Sequence, residues 1–260
     1  MPVVKKIWNV RVSLTNFTTK QKVNRNAIHT KAGKRVVLFF ILCIVFFACN
    51  NKNDTGNTLN PENLYFDYKI AGEDGNDSIT ILLQYRDKGI DGDAISIGEI
   101  GKVELDGEPI PEVSAKMSGI FYELNKPLSV ITGKHHIVFT DLDKNTYEEE
   151  FDFQPFTLLT QVADTIQRGK LVFEFGGLKP EALMTVLMTD TSFVNEGINR
   201  AFTVRGGRLE ITQHELENLS NGPVQLEFIK EEERSFNTGT GTGRRLLMIY
   251  RLKREFFLKN

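Results

Sequence analysis

From Leu64 onward the chain alternates apolar and polar residues with a period of two, in short runs broken by turn residues. Ile79, Ile81, Leu83 and Tyr85 alternate with Ser78, Thr80 and Gln84, with Leu82 as the one apolar intruder. Val103 and Leu105, then Ile120, Tyr122 and Leu124, then Ile137 and Phe139 repeat the pattern. Tyr147, Phe151 and Phe153 alternate with Glu148, Glu150 and Asp152. Successive side chains of a strand point to opposite faces, so this spacing sets one face on a core and the other in water.

Turn signals separate the runs: GEDGND at 72–77, KGIDGD at 88–93, LDGEP at 105–109 and LDKN at 142–145. Pro155 then marks a restart. Leu171, Phe173 and Phe175 form a new face. ALMTVLM (182–188) is apolar on both faces, as a central strand would be, and RRLLMIYRLKREFFL (244–258) reads as the closing strand. Thr212 and Glu215 have the spacing of a capping box at the start of a short helix. Short strands at this density predict an all-β chain of β-sandwiches.

GKHHIVFTDLDKNTYEEEFDF (133–153) resembles the last hairpin of an immunoglobulin-like domain, two strands across a short polar turn. Both halves resemble immunoglobulin-like or fibronectin-type modules in architecture, without a Cys–Trp–Cys core. The resemblance implies two tandem immunoglobulin-like β-sandwich domains, at 64–155 and 156–260. It implies no activity, because one fold hosts many functions.

Ahead of the strands lies LFFILCIVFFACNNKND (38–54). Its uncharged stretch, Val36 to Ala48, is thirteen residues long, short of the ~20 a spanning helix needs. Basic Lys31, Lys34 and Arg35 precede it, and Ala48-Cys49 ends it where a small-residue cleavage site belongs. A membrane anchor, a buried helix and a mitochondrial-type presequence are the competing readings. Ala48-Cys49 resembles the lipobox of Gram-negative bacterial lipoproteins, although Phe46 and Phe47 replace its usual leucine and small residue. The resemblance implies removal of residues 1–48 as a signal peptide with a long basic leader, and acylation of Cys49. Residues 49–63 then form the lipidated cysteine and a flexible tether, polar and rich in asparagine. Asn50, rather than aspartate, follows the cysteine, which in such lipoproteins favours the outer membrane.

Such processing changes the charge balance. Residues 1–49 hold nine of the 32 basic residues and none of the 34 acidic ones, leaving 23 against 34, a formal charge of −11. An acidic chain repels phosphate backbones, so no nucleic-acid partner is expected. The only cysteines are Cys43 and Cys49, so the mature domains would have neither disulfide nor free thiol.

Candidate chemistry is sparse. NTGTGTGRR (237–245) lacks the Gly-Lys-Ser/Thr and following helix of a phosphate loop and reads as a hairpin loop. Glu231 to Glu233 and Arg244-Arg245 are expected to pair across its arms. DLDKN (141–145) begins like a calcium loop, but Thr146 stands where glycine is needed and Asp152 where a bidentate glutamate is needed. His135 and His136 adjoin in a strand and point apart, while His214 lacks the second histidine of a zinc helix. No catalytic residue, cofactor or metal site is expected.

The expectation is a lipid-anchored, non-enzymatic cell-envelope protein at the outer membrane, an adaptor or accessory subunit binding a protein partner. The alternative is a glycan- or polypeptide-binding surface lipoprotein of a nutrient-uptake system. Its sugar-stacking aromatics would be Tyr65, Tyr68, Tyr85 or Tyr122, because the single tryptophan, Trp8, lies in the leader.

Overall fold

The computed structural model describes residues 61–192, 196–236 and 242–260. The signal segment, Cys49 and the tether up to residue 60 lie outside the described residues. Pro61–Asn63 form a 3-10 turn that leads directly into the first strand.

The first half supplies β1 (Leu64–Glu73), β2 (Ser78–Asp87), β3 (Gly101–Leu105), β4 (Glu108–Pro109), β5 (Glu112–Ala115), β6 (Gly119–Pro127), β7 (Gly133–Asp141) and β8 (Thr146–Phe153). The second half supplies β9 (Thr157–Leu158), β10 (Thr165–Gln167), β11 (Leu171–Gly176), β12 (Ala182–Asp190), β13 (Ile198–Val204), β14 (Arg208–Ile211), β15 (Gly222–Phe236) and β16 (Arg244–Lys259). Helix among the described residues is limited to single turns, so none is long and apolar enough to cross a membrane. The chain is therefore all-β, and local chemistry explains its turns. Asp106 and Gly107 both take positive φ, 50° and 83°, the type I′ geometry that suits an Asp-Gly pair in a two-residue hairpin. The capping box forms: Thr212 Oγ1 accepts from Glu215 N, and Thr212 N donates to the Glu215 carboxylate at 2.6 Å.

Three sheets result. The largest has nine strands, in the order β13-β12-β15-β16-β1-β2-β6-β5, with β10 also on β16. A four-stranded sheet, β4-β3-β7-β8, covers one end of it, and a three-stranded sheet, β14-β11-β9, covers the other. Ring contacts join the layers. Phe139 on β7 meets Phe66 on β1 edge-on at 5.6 Å, and Phe173 and Phe175 on β11 meet Phe228 on β15 at 5.0 and 4.9 Å.

The strands read as the start of one module and the end of the other lie side by side. β1 pairs in parallel with β16, Phe66 opposite Arg244 through Glu73 opposite Arg251. Residues 58–260 form one compact unit, and its buried apolar residues form one connected cluster from Leu64 to Leu258. Phe156, just past Pro155, is 1% exposed and packs edge-on against Tyr250 and Phe175.

β12 corrects one expectation. Only Met184, Val186 and Met188 face the core, while Leu183 is 65% exposed. Among the described residues the large sheet has a covering layer on one face only, and Leu183 on the other face meets solvent.

Candidate functional site

One face of the nine-stranded sheet has no covering layer among the described residues, and it centres on β16. Its outward side chains are Arg245, Leu247, Ile249, Arg251, Lys253 and Glu255, ~6.8 Å apart along the strand. The register sets Asp67, Lys69, Ala71 and Glu73 of β1 beside the first four of them. On the other flank, Glu233, Glu231, Ile229, Glu227 and Gln225 of β15 stand opposite Leu247 through Glu255. Ion pairs hold these rows in place. Arg245 grips Asp67 with two bonds of 2.9 and 3.0 Å, Lys253 reaches Glu73 at 2.9 Å, and Arg251 lies 3.7 Å from Glu227. The Glu73 carboxylate, accepting from Lys253, raises that ammonium's pKa above the usual lysine range. Lys69 is exposed and makes no ion pair among the described residues.

Two shallow depressions open on this face. One of about 250 Å3 lies among Lys69, Glu73, Asn76, Thr80, Ile249 and Arg251. The other, about 210 Å3, lies among Leu187, Thr189, Gln225, Glu227, Lys253 and Glu255. They lie on opposite flanks of β16, one over β1 and β2 and the other over β12 and β15, so the trough along β16 is a shallow outer face with a depression on each side. On the same face Leu82, Leu187, Leu247 and Ile229 are half-buried among the charges, and Ile249 is buried between them. Such a surface suits an extended partner contacted over many residues, since a small ligand needs an enclosing cavity.

Three of the four tyrosines considered for sugar stacking are core residues. Tyr68, Tyr85 and Tyr122 are 1%, 0% and 5% exposed, and their rings stack edge-on in series with the two tyrosine hydroxyls of the Tyr68–Tyr85 pair 3.2 Å apart. Tyr122 donates to Glu112 and accepts from Ile97 N. Burial lifts the Tyr85 phenol well above its ordinary value. Tyr65 points to the outer face, yet it is only 8% exposed, opposite Arg86 and two residues from the Asp67–Arg245 pair. None of the four offers a free ring face.

The expected Glu–Arg pairs across the β15–β16 hairpin also fail to form. Residues 237–241 lie outside the described residues. The flanking register sets Arg244 opposite Phe236 and Arg245 opposite Ser235. Arg245 turns to Asp67, and Arg244 turns inward to Glu149 at 3.8 Å, with Arg234 equally close to that carboxylate. Glu149 shares its face with Phe151 and is 8% exposed. Burial raises its pKa, against the pull of Arg234 and Arg244.

The remaining candidates are structural. Asp141 accepts from Asn145 N at 2.8 Å and Asn145 Nδ2 at 2.9 Å, so both its oxygens serve the turn. His135 and His136 do point apart: His135 Nδ1 meets Asp106 at 2.7 Å, and His136 Nδ1 meets Glu148 at 2.7 Å. His214 Nδ1 lies 2.9 Å from Glu217 on an exposed turn. Among the described residues, no group of three His, Cys, Asp or Glu could hold a metal ion. Cys49 is outside the described residues.

No family model matches the chain, and no curated protein matches it. Among solved structures it is similar to DIP-gamma IG1+IG2, at 10% identity over 72% of this chain and 94% of that one, TM-score 0.23. It is similar to the Bacteroides ovatus mixed-linkage glucan utilization locus protein SGBP-B, seen with a mixed-linkage heptasaccharide, at 15% identity over 69% and 43%, TM-score 0.22. The Yersinia pseudotuberculosis adhesin InvE follows at 14% identity over 74% and 59%, TM-score 0.21. Likenesses at this level carry no inference about what this chain binds.

Proposed function

We propose that this chain is a lipid-anchored, non-enzymatic protein of the cell envelope that holds a protein partner on the outer face of its long sheet. The observation that carries this reading is the uncovered trough along β16, where ion-paired side chains and apolar residues are fixed by three neighbouring strands. Side chains already held in place lose less entropy on binding. Anchoring rests on the sequence alone: the short apolar run, Ala48-Cys49 and the polar tether support acylation of Cys49, and Asn50 after the cysteine supports the outer membrane. The glycan reading loses Tyr68, Tyr85 and Tyr122 to the core, and Tyr65 is covered by its neighbours.

A photo-crosslinking side chain at Thr80 or Leu187, in native cells, should give the same discrete protein adduct. At Lys102, on the far side of the molecule, it should give none. Absence of adducts at the first two positions, or identical adducts at Lys102, would refute the binding face. Intact mass of the membrane-extracted protein tests the anchor separately. A bare thiol at Cys49, or leader peptide still attached, would refute it.

A further inference from the structure

The edges of the sheets are not equally guarded. β4 and β9 have two residues each and β10 three, while β5 has four and is preceded by Pro111. β14 has four residues. The open edge of β8 is covered by cations from the β15–β16 hairpin, since Lys230, Arg234 and Arg244 donate to the carbonyls of Gln154, Glu150 and Glu148. β13 is different. It ends the nine-stranded sheet with seven residues, INRAFTV, and has neither proline nor lysine. Among the described residues its only strand partner is β12. Beside it runs a depression of about 260 Å3 lined by Asn199, Arg200, Glu215 and Asn218 among others. A long edge left open in this way presents a row of unpaired backbone groups to another strand.

The sequence of β13 identifies that strand. In an antiparallel pair, outward-pointing backbone groups alternate, so two copies of one strand can pair only about a two-fold axis centred on a residue. Centring on Arg200 sets two guanidinium groups against each other, which is unfavourable. Centring on Ala201 pairs all seven residues without conflict. Ile198 then faces Val204 on the core side, and Asn199 faces Thr203 on the outer side. Arg200, the strand's only charge, faces Phe202, and the small Ala201 faces itself. Within one chain the Arg200 guanidinium pairs with the Glu215 carboxylate and sits 4.4 Å from the Phe202 ring centroid, so a cation–π contact of the same kind is within reach across the pair while the charge stays neutralised. We propose that β13 is the docking edge for a second copy of this chain, forming a two-fold dimer through an antiparallel β13–β13 ladder centred on Ala201. The nine-stranded sheet then runs unbroken through both copies, with the two β16 troughs on the same side. An isologous contact of this kind closes on itself and stops at two chains.

Self-opposed residues give the test. With Ala201→Cys in the membrane-bound full chain, mild oxidation should yield a disulfide-linked dimer, because directly opposed Cα atoms lie ~4.5–5.5 Å apart in either type of antiparallel pair. Thr203→Cys, which faces Asn199, should yield none, and neither should the wild type, which controls for Cys43 and Cys49. Two exposed-surface variants then test the register in detergent by sedimentation. Asn199→Lys with Thr203→Lys sets like charges opposite each other twice and should weaken the dimer about tenfold. Asn199→Lys with Thr203→Glu sets opposite charges together and should keep it. A monomeric wild type, equal crosslinking of both cysteines, equal behaviour of the two charge variants, or an Ala201→Cys adduct only to a different protein would each overturn the proposal.

Discussion

Asp190 is the carboxylate whose surroundings act on it most strongly. Its Oδ1 accepts from Ser192 N at 2.8 Å and from the Ser192 hydroxyl, and its Oδ2 accepts from Ser220 N at 2.6 Å. The bond from the Ser192 hydroxyl leads the set that holds its pKa down at about 2. A depressed carboxylate stabilises the fold above its unfolded pKa, near 3.8, and this contribution fades as pH falls through the folded value. Over that window it amounts to about 2 kcal/mol. Asp190→Asn should cost about 1–3 kcal/mol at pH 7, because one backbone N–H then faces an amide NH2. Its urea midpoint should change less than that of the wild type between pH 4 and 2. Parallel pH curves for the two proteins would refute this account. Parity in the sequence already separates several other residues. Tyr68 shares a face with Phe66 and Ile70, and Tyr122 shares one with Ile120 and Leu124, so both are legible as core. Glu149 has the parity of Phe151 and Phe153 and was the inward charge waiting to be noticed. Tyr65 was not legible, because its cover comes from neighbouring strands that the sequence does not identify.

At the scale of elements, the 15-residue β15 and the 16-residue β16 do two jobs. They carry the outer trough on one face, and on the other they send Lys230, Arg234 and Arg244 to the edge of β8. Sequence pattern marks β16 as a closing strand with a hairpin loop before it. It could not supply the partners of either strand, since a period of two reports which way a side chain points and says nothing of which strand lies beside it. The Glu–Arg pairs expected across the hairpin went elsewhere for that reason. Removing both cations, Arg234→Ala with Arg244→Ala, strips two carbonyls of their donors and leaves Glu149 buried without a counter-charge. The loss should be roughly 3 kcal/mol at pH 7. Once the arginines are gone, burial alone acts on Glu149, so its folded pKa rises further above the unfolded one. Such a group destabilises more as pH climbs past its unfolded value, so the double variant should recover part of its stability at pH 4. Adding Glu149→Gln should recover a similar part at pH 7. Guanidinium melts that show no recovery by either route would exclude the buried charge as the cause.

The whole molecule turns on whether its halves unfold together. The parallel seam of β1 with β16 joins residues ~180 positions apart in sequence, and no local pattern announces such a pairing. The restart at Pro155 is real as a change of pattern, but Phe153 and Phe156 on either side of it both pack edge-on against Tyr250 of β16. A common sheet and a connected core couple the two halves energetically, whereas modules joined by a free linker would each melt on their own. Phe156 probes that coupling, being 1% exposed and in ring contact with Phe175 as well as Tyr250. Phe156→Ala should destabilise by about 3–5 kcal/mol, the range for emptying a buried aromatic site. In native-state hydrogen exchange, slow amides of Ile81 and Leu83 in β2 should lose the same protection free energy as that of Val186 in β12. If only the β12 amide responds while β2 keeps its protection, the halves are separate folding units and the shared sheet is a contact between them.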